Sequence, residues 1–542
     1  MSIIKVLLVS INAKNIHKST ALWCLKAYCG QHIQGCEIII QENNINENIN
    51  DISSGIYRNS PDVVGFSCYI WNIELIIKLT GTITKLLPSC KIVLGGPEVS
   101  FEKSFDDYPF ADYIVQGAGE SAFCELLDSL EKGKETGKLI IAGVNCSFAG
   151  LPSPYTEEYF ASFQTDKMSS IKNQLVYYES SRGCPFSCAY CLSSATAGVP
   201  CLPMERIKEE LLLILSHGAK CIKFVDRTFN ADKARAAAIL KFICSLETEC
   251  TFHFEAAADL FDEFLLAVIA EMPVNRVQFE IGIQSVNLET LDAVSRKTNL
   301  DKSFDNIRKL TDMKNCHIHV DLIAGLPFET IETFAQAINR CLSAKPHMLQ
   351  LGFLKMLKGS AIREHAGQYD YIFANYAPYE VFQSSSMTYD DIITLKGIER
   401  VIDKFYNSGM FINTVEYAMA KLFNNGYELF LKLAVYCENI GNIKVSLKNS
   451  YSILLNFLLP YAEKEEAEHY IKLDCLTFDV QGMLPDSIAQ FRDKGLESEI
   501  RNSPELKNKS IRVEFFSFDN KKRLFIYGQK NPISKEYAVL EL

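Results

Sequence analysis

The stretch Glu179-Ser-Ser-Arg-Gly-Cys184-Pro-Phe-Ser-Cys188-Ala-Tyr-Cys191 puts three cysteines in a C-x3-C-x2-C loop at the end of an apolar run that begins at Leu175. Such a run, bounded by turn residues, reads as a strand, and a loop hung from its carboxyl end lies where β/α barrels keep their active sites. Thiolates are the preferred ligands of iron-sulfur clusters. A [4Fe-4S] cube normally takes four, so Cys184, Cys188 and Cys191 leave one iron open to a small ligand. Gly183 and Pro185 suit the tight bend this requires. A zinc ion with a distant fourth ligand remains an alternative, because ligand number alone does not choose the metal, and so does chance clustering in a chain of 18 cysteines.

Downstream of this loop, the apolar runs Cys221–Val225, Phe252–Glu255, Val277–Ile281, His317–Ile323 and Met348–Leu354 alternate with amphipathic helical patterns. With Leu175–Ser180 they make six β/α repeats, a partial barrel rather than eight-fold closure. Upstream, Val6–Ile11, Ile38–Ile40, Val63–Ser67, Ile92–Gly95 and Tyr113–Val115 have the rhythm of a parallel, Rossmann-like (flavodoxin-like) sheet. The expected organisation is therefore an α/β chain: an N-terminal domain over 1–150, a linker over 151–173, a partial (β/α)6 barrel over 174–375 and a mainly helical C-terminal region over 376–542. In that last region, Asp391–Asn407 and Tyr427–Ile440 have helical periodicity, and Ile511–Phe516 with Arg523–Tyr527 suggests a hairpin. Glu255 and Glu280 lie in apolar barrel strands, where a carboxylate is costly unless paired or functional, and one of them is expected to face the barrel interior.

Composition narrows the function classes. No apolar stretch is long enough to span a membrane, and the N-terminus turns polar too soon for an export signal, which points to a cytoplasmic protein. A formal net charge of -11 disfavours a broad nucleic-acid footprint. The scattered cysteines read as buried small apolar residues rather than disulfides.

C-x3-C-x-aromatic-C after a strand resembles the signature of the radical S-adenosylmethionine (SAM) superfamily. The resemblance implies that the amino and carboxylate groups of SAM chelate the open iron, with Tyr190 against the adenine. Asp226, in Phe224-Val-Asp226-Arg-Thr-Phe-Asn230, stands where relatives commonly carry a Gly-Gly-Glu element for the SAM amino group. The glycines are absent here, yet Asp226 offers a carboxylate for the ammonium. Gln278-Phe-Glu-Ile-Gly-Ile-Gln284-Ser285 with Arg296 resembles the fourth-strand SAM segment, and His319-Val-Asp321 through Thr330 the fifth-strand motif. Glu255, Gln284, Ser285 and Arg296 are thus further SAM candidates, with helix capping the alternative for Ser285, Asn287 and Thr330.

The first domain is similar to the cobalamin-binding branch of that superfamily. The likeness rests on Gly65-Phe-Ser-Cys-Tyr69-Ile-Trp71-Asn72, Gly95-Gly-Pro-Glu98 and Gly117-Ala-Gly-Glu120. It implies that Gly95, Gly96, Gly117 and Gly119 admit the nucleotide tail, that Tyr69 or Trp71 lies against the corrin, and that Ser67, Asn72, Glu98 and Glu120 bond its polar groups. His17, in Asn15-Ile-His17, is a candidate lower cobalt ligand or a solvated loop histidine. Asn12 to His17, together with Leu351 to Ser360, resembles a bacterial subgroup with its own C-terminal domain. Its Lys355 and Lys358 either meet an acidic group or are solvated.

The implied cofactors are a [4Fe-4S] cluster, SAM and cobalamin. The implied reaction is formation of a 5′-deoxyadenosyl radical and methylation of an unactivated carbon on a small-molecule or peptide substrate, served by a flavodoxin- or ferredoxin-type reductant. Other readings are cobalamin-assisted rearrangement, cyclisation or oxidation, an RNA methylthiotransferase, and a non-enzymatic sensor. Methylthiotransferases carry a second cluster on three N-terminal cysteines. Here Asn12 ends the first strand, and only Cys68 is well placed.

Overall fold

A computed structural model describes residues 3–134, 137–143, 147–164, 170–195, 198–441, 446–478, 484–506 and 509–542. The chain forms two compact units. One comprises Met1–Ile269, Asp292–Lys297 and Leu354–Ser384, and the other Ala270–Leu291, Thr298–Phe353 and Ser385–Leu542.

The first unit opens with six parallel strands: β1 (Ile4–Asn12), β2 (Cys36–Asn44), β3 (Val63–Ser67), β4 (Lys91–Gly95), β5 (Tyr113–Gln116) and β6 (Leu139–Ala142), in the order β2-β1-β3-β4-β5-β6. β1 is buried over six consecutive residues because both its faces are covered, which is why it reads as an unbroken apolar run rather than an alternating one. Leu7, Val9 and Ile11 join Val64, Phe66, Ile92 and Leu94 under helix Ile73–Leu86. Val6 and Leu8 point the other way, to a second core with Leu22, Cys29, Phe123 and Leu127. The strand order reverses direction between β1 and β3, and open α/β sheets bind ligands outside the carboxyl ends at such a switch point. β6 has no counterpart among the five sequence runs; its four residues are half-exposed or exposed, so it lacks an apolar signature.

The segment 151–173 is more than a tether. Tyr155, Tyr159, Phe160 and Phe163 are all buried, and a short helix, Glu157–Ala161, is capped by Thr156.

The partial barrel follows as β7 (Val176–Tyr178), β8 (Cys221–Phe224), β9 (Thr251–Ala256), β10 (Val277–Gln284), β11 (His317–Ala324) and β12 (Met348–Phe353). β7, β8 and β9 pair in parallel in the first unit, and β10, β11 and β12 in the second. Alternation is strict in β9 and β10. Phe252, Phe254, Phe279, Ile281 and Ile283 are buried, while His253, Glu255, Glu280, Gly282 and Gln284 share the less buried face. Both Glu255 and Glu280 therefore stand on the polar face of their strands, the interior of such a barrel.

In the second unit the region beyond Ser385 is helical, as its periodicity implies. Helix Tyr389–Ile402 starts from a capping box between Thr388 and Asp391, and Gly426–Asn439, Leu447–Leu458 and Lys464–Phe478 follow. The expected hairpin is a three-stranded antiparallel sheet, Ser510–Phe516, Lys521–Tyr527 and Ala538–Glu541; the last strand is exposed on most positions and carries little pattern. Glu514 pins this sheet to helix Lys464–Phe478. It is fully buried and takes Lys472 at 2.5 Å on one oxygen and Arg512 at 2.7 Å on the other.

Removing one member of a buried ion pair strands the others. Glu514→Ala is expected to destabilise this C-terminal region by about 3–5 kcal/mol. Hydrogen exchange should show faster exchange confined to Ser510–Tyr527 and the helix holding Lys472.

Candidate active site at the strand ends

The cysteine loop leaves β7 through Ser180 and Ser181, both buried. Asp226, just past β8, holds them. Its Oδ1 accepts the Ser180 and Ser181 backbone N–H groups at 2.8 and 3.1 Å, and its Oδ2 accepts their hydroxyls at 2.5 and 2.7 Å. Arg235 donates to the Ser180 carbonyl and hydroxyl at 2.8 and 2.6 Å. This corrects the expectation that Asp226 receives the SAM ammonium. The carboxylate is fully buried and both oxygens are taken by the loop's own root.

Arg182 makes the next anchor. Its Nε and Nη2 grip Glu179 at 3.0 and 2.8 Å, and Nη2 also reaches Glu120 Oε1 at 2.9 Å. The loop then turns at Gly183, whose φ of 95° lies in the left-handed region that favours glycine. Cys184 Sγ lies 3.5 Å from Thr228 Oγ1. Cys188 is buried and Cys191 half-buried, with the Cys191 N–H closing a turn on the Cys188 carbonyl. Arg296 Nη1 donates to Tyr190 Oη at 3.1 Å and approaches Cys188 Sγ at 3.9 Å. Burial, together with the adjoining Cys188, pushes the Tyr190 phenol up, although Arg296 pulls it the other way. The structure thus brings the three cysteines, Tyr190 and Arg296 together in one unit. Three thiol donors with hydrogen-bond donors at two of the sulfurs fit a cuboidal iron-sulfur cluster.

Gln284 and Ser285 belong to the second unit. Ser285 is fully buried, its hydroxyl donating to Glu329, which also accepts from Thr333 at 2.6 Å; it ties strand ends and is not open to SAM. Gln284 adopts a φ of 70°, and its Oε1 is buried with no partner among the described residues, so it retains an unused acceptor. Glu255 stays half-buried on the polar face of β9.

At the switch point of the first sheet, Ser67 closes β3 with its hydroxyl buried and unpartnered among the described residues, as is that of Ser10 in β1. Tyr69 and Trp71 stack at 4.3 Å and 7°, and Trp71 leaves 45 % of its surface exposed. Gly96 has a φ of 109°, and a Cβ there would sit 2.7 Å from the Cys68 carbonyl oxygen. Gly117 also has a positive φ, with open space where its Cβ would be, while Gly95 and Gly119 would put a Cβ in ordinary contact. Orphaned hydroxyls, an exposed aromatic plate and backbone bared at glycine turns fit a large ligand with polar side groups.

Three residues expected to contact that ligand are occupied by the protein. Asn72 is buried, donating to the Ile11 and Ser67 carbonyls and accepting from the Tyr69 N–H. Glu98 is buried against the Tyr379 hydroxyl, and burial raises its pKa. Glu120 pairs with Arg182. His17 is half-buried rather than solvated. Its Nδ1 lies 2.7 Å from the Tyr177 hydroxyl, and burial, with Lys14 and Lys223 nearby, holds its pKa below the ordinary histidine value. The ring is thus neutral near pH 7, with Nε2 the nitrogen outside that bond. Lys358 is not a solvated lysine, since it bonds Glu102 at 2.6 Å, Asp107 at 3.1 Å and the Tyr108 hydroxyl at 3.2 Å; Lys355 is exposed.

Sequence reasoning missed Tyr177, Arg182, Thr228, Arg235 and Tyr379. Arg182 stands two residues before Cys184 in the loop itself, Tyr177 lies in β7 just before it, and Thr228 lies two residues after Asp226 in a quoted motif, so these three had a local signal, whereas Arg235 and Tyr379 had none.

Residues 6–127 match the B12 binding domain family, and residues 178–341 the radical SAM superfamily. The chain thus carries a B12-binding domain ahead of a radical SAM domain. Residues 367–527 match a family described only as a protein of unknown function, DUF4080. The cofactor set of the two named domains is a [4Fe-4S] cluster, SAM and cobalamin. Among curated relatives, the cobalamin-dependent radical SAM methyltransferase TokK of Streptomyces tokunonensis is 26% identical over 343 residues, covering 56% of this chain and 49% of TokK. An uncharacterized methyltransferase of Pyrococcus horikoshii, PH0819, is 28% identical over 309 residues, covering 53% and 66%. The chain spans about half to two thirds of the length of these relatives. Among solved structures, the cobalamin-dependent SAM radical enzyme OxsB aligns with a TM-score of 0.59 at 15% identity, over 87% of this chain and 79% of OxsB. The radical SAM methyltransferase TsrM of Kitasatospora setae, solved with cobalamin and a [4Fe-4S] cluster, aligns at 0.54 and 17%, over 70% and 76%. At these identities the structural likeness is one of fold. Among the described residues no helix is long and apolar enough to cross a membrane.

Because Asp226 positions the loop, Asp226→Ala is expected to loosen the cluster without touching a ligand. A chelator should strip iron from the reconstituted variant about tenfold faster than from wild type. Unchanged iron and sulfide kinetics would contradict this role. Trp71→Ala should weaken cobalamin retention about tenfold, read from the absorption of the protein after desalting.

Proposed function

We propose that the protein is a cobalamin-dependent radical SAM methyltransferase acting on an unactivated carbon of a small-molecule or peptide substrate, with an external one-electron reductant. The observation that carries this reading is the cysteine loop of β7, braced by Arg182 against Glu120 of the B12-binding domain within one compact unit. The names of TokK and PH0819 support the methyl-transfer part of the reading.

When bound, the cluster supplies the electron that cleaves SAM to a 5′-deoxyadenosyl radical, and cobalamin supplies a methyl carrier. The chain's own residues position and shield. Cys184, Cys188 and Cys191 hold the cluster and leave a coordination place for SAM. Tyr190 and Arg296 form the wall of the loop. Gly96 and Gly117 expose backbone for the cobalamin tail, Ser67 offers its hydroxyl, and Tyr69 and Trp71 present a flat apolar face to the corrin. His17, held at Nδ1 by Tyr177, keeps a neutral ring whose Nε2 suits a metal, the usual arrangement of a histidine ligand fixed by its other nitrogen.

The test uses the reconstituted protein, a strong reductant and SAM labelled in its methyl group. 5′-Deoxyadenosine is expected from wild type and not from Cys188→Ala. Label is expected in the product of a true substrate. Deoxyadenosine with an unlabelled product points instead to rearrangement, cyclisation or oxidation. Cofactor binding without deoxyadenosine points to a sensor. About eight irons per chain would contradict the single-cluster reading and favour a methylthiotransferase.

A further inference from the structure

The second unit contains a group of ligand-type side chains, in the fourth- and fifth-strand segments, to which the proposed function assigns no role of their own. Glu280 stands on β10, and His319 and Asp321 on β11; one ligand atom from each lies within 4.8 Å of the others. The strand register explains the grouping. Glu280 is the direct neighbour of His319, while Asp321, two residues further on and so on the same face, is the neighbour of Gly282. His319 Nε2 and Asp321 Oδ1 lie 3.0 Å apart, with the His319 side chain 8% exposed.

We propose that Glu280, His319 and Asp321 form a three-ligand binding site for a divalent first-row cation of the Mn2+, Fe2+ or Zn2+ kind, on the interior face of the barrel strands. Two carboxylates and one imidazole are the donor set such ions take, and three protein ligands leave places for water or a substrate oxygen. The spacing agrees. An ion with bonds of about 2.1 Å sets adjacent ligand atoms about 3.0 Å apart and opposite ones about 4.2 Å apart. Two carboxylates around a divalent ion also give a neutral site, which favours its burial. The site's existence is independent of the methyl-transfer reading, and the test below does not depend on turnover.

Manganese is the probe, because it is part of neither the cluster nor cobalamin. The reconstituted full chain is equilibrated anaerobically with Mn2+, and free Mn2+ is read from its EPR signal, with metals per chain counted after desalting. Wild type is expected to bind one equivalent that Zn2+ displaces. Asp321→Asn and His319→Gln are each expected to weaken it at least about tenfold, with cluster iron unchanged. Glu280→Gln serves as a third variant should one of these lose its fold, as judged by melting and iron content. No stoichiometric Mn2+ or Zn2+ in wild type, or equal binding in the folded variants, overturns the proposal. A positive result with no deoxyadenosine formation keeps the metal site and removes the enzymatic reading.

Discussion

The buried carboxylate of Asp226 is the contact on which the site depends. A loop that must wrap three sulfurs around an inorganic cube cannot also supply much packing of its own, so its shape has to be imposed from its root. Asp226 does this by accepting two backbone N–H groups and two hydroxyls from consecutive serines, fixing the direction in which the chain leaves β7. Hydrogen bonds to an ionised acceptor are roughly twice as strong as neutral ones, and Arg235 lies 3.6 Å from the same carboxylate to balance its charge. β7 contributes only three residues to the sheet, which makes this polar clamp more consequential than the strand itself.

The same arrangement shows how far the sequence could be read. The parallel sheets were legible because strands buried on both faces carry long apolar runs, as β1 does, and because β10 alternates without interruption. The cysteines were legible because their spacing is itself the chemistry. β6 and the final strand Ala538–Glu541 were not, since exposed edge strands have little pattern to show. Among site residues the failures share one cause. Asp226, Asn72, Glu98, Glu120 and Ser285 were recognised as polar groups at strand ends, but each turned out to satisfy a buried partner of the protein. A strand end leaves backbone groups and loop side chains needing hydrogen bonds, and nothing in a one-dimensional pattern says whether the partner is a ligand or a residue sixty positions away.

What remains for ligands at the first sheet is accordingly sparse and apolar: bare backbone at Gly96 and Gly117, the Trp71 face and the hydroxyls of Ser10 and Ser67. That suits a large cofactor held by area more than by charge. The strict requirement is steric at Gly96, where a side chain would collide with the backbone after β3, whereas Gly117 is demanded by its dihedral angle alone.

Arg182 is a residue of the cysteine loop whose second carboxylate partner, Glu120, opens a helix of the B12-binding domain. The two domains are therefore not interchangeable modules. A chimera that imports a foreign B12-binding domain must import an acid at the position of Glu120, or it leaves a guanidinium next to the cluster ligands with half its charge balance missing. Domain shuffling in this architecture is constrained at that ion pair, as it is at the pairs of Lys358 with Glu102 and Asp107, and these contacts mark where the two halves of the first unit have to be inherited together.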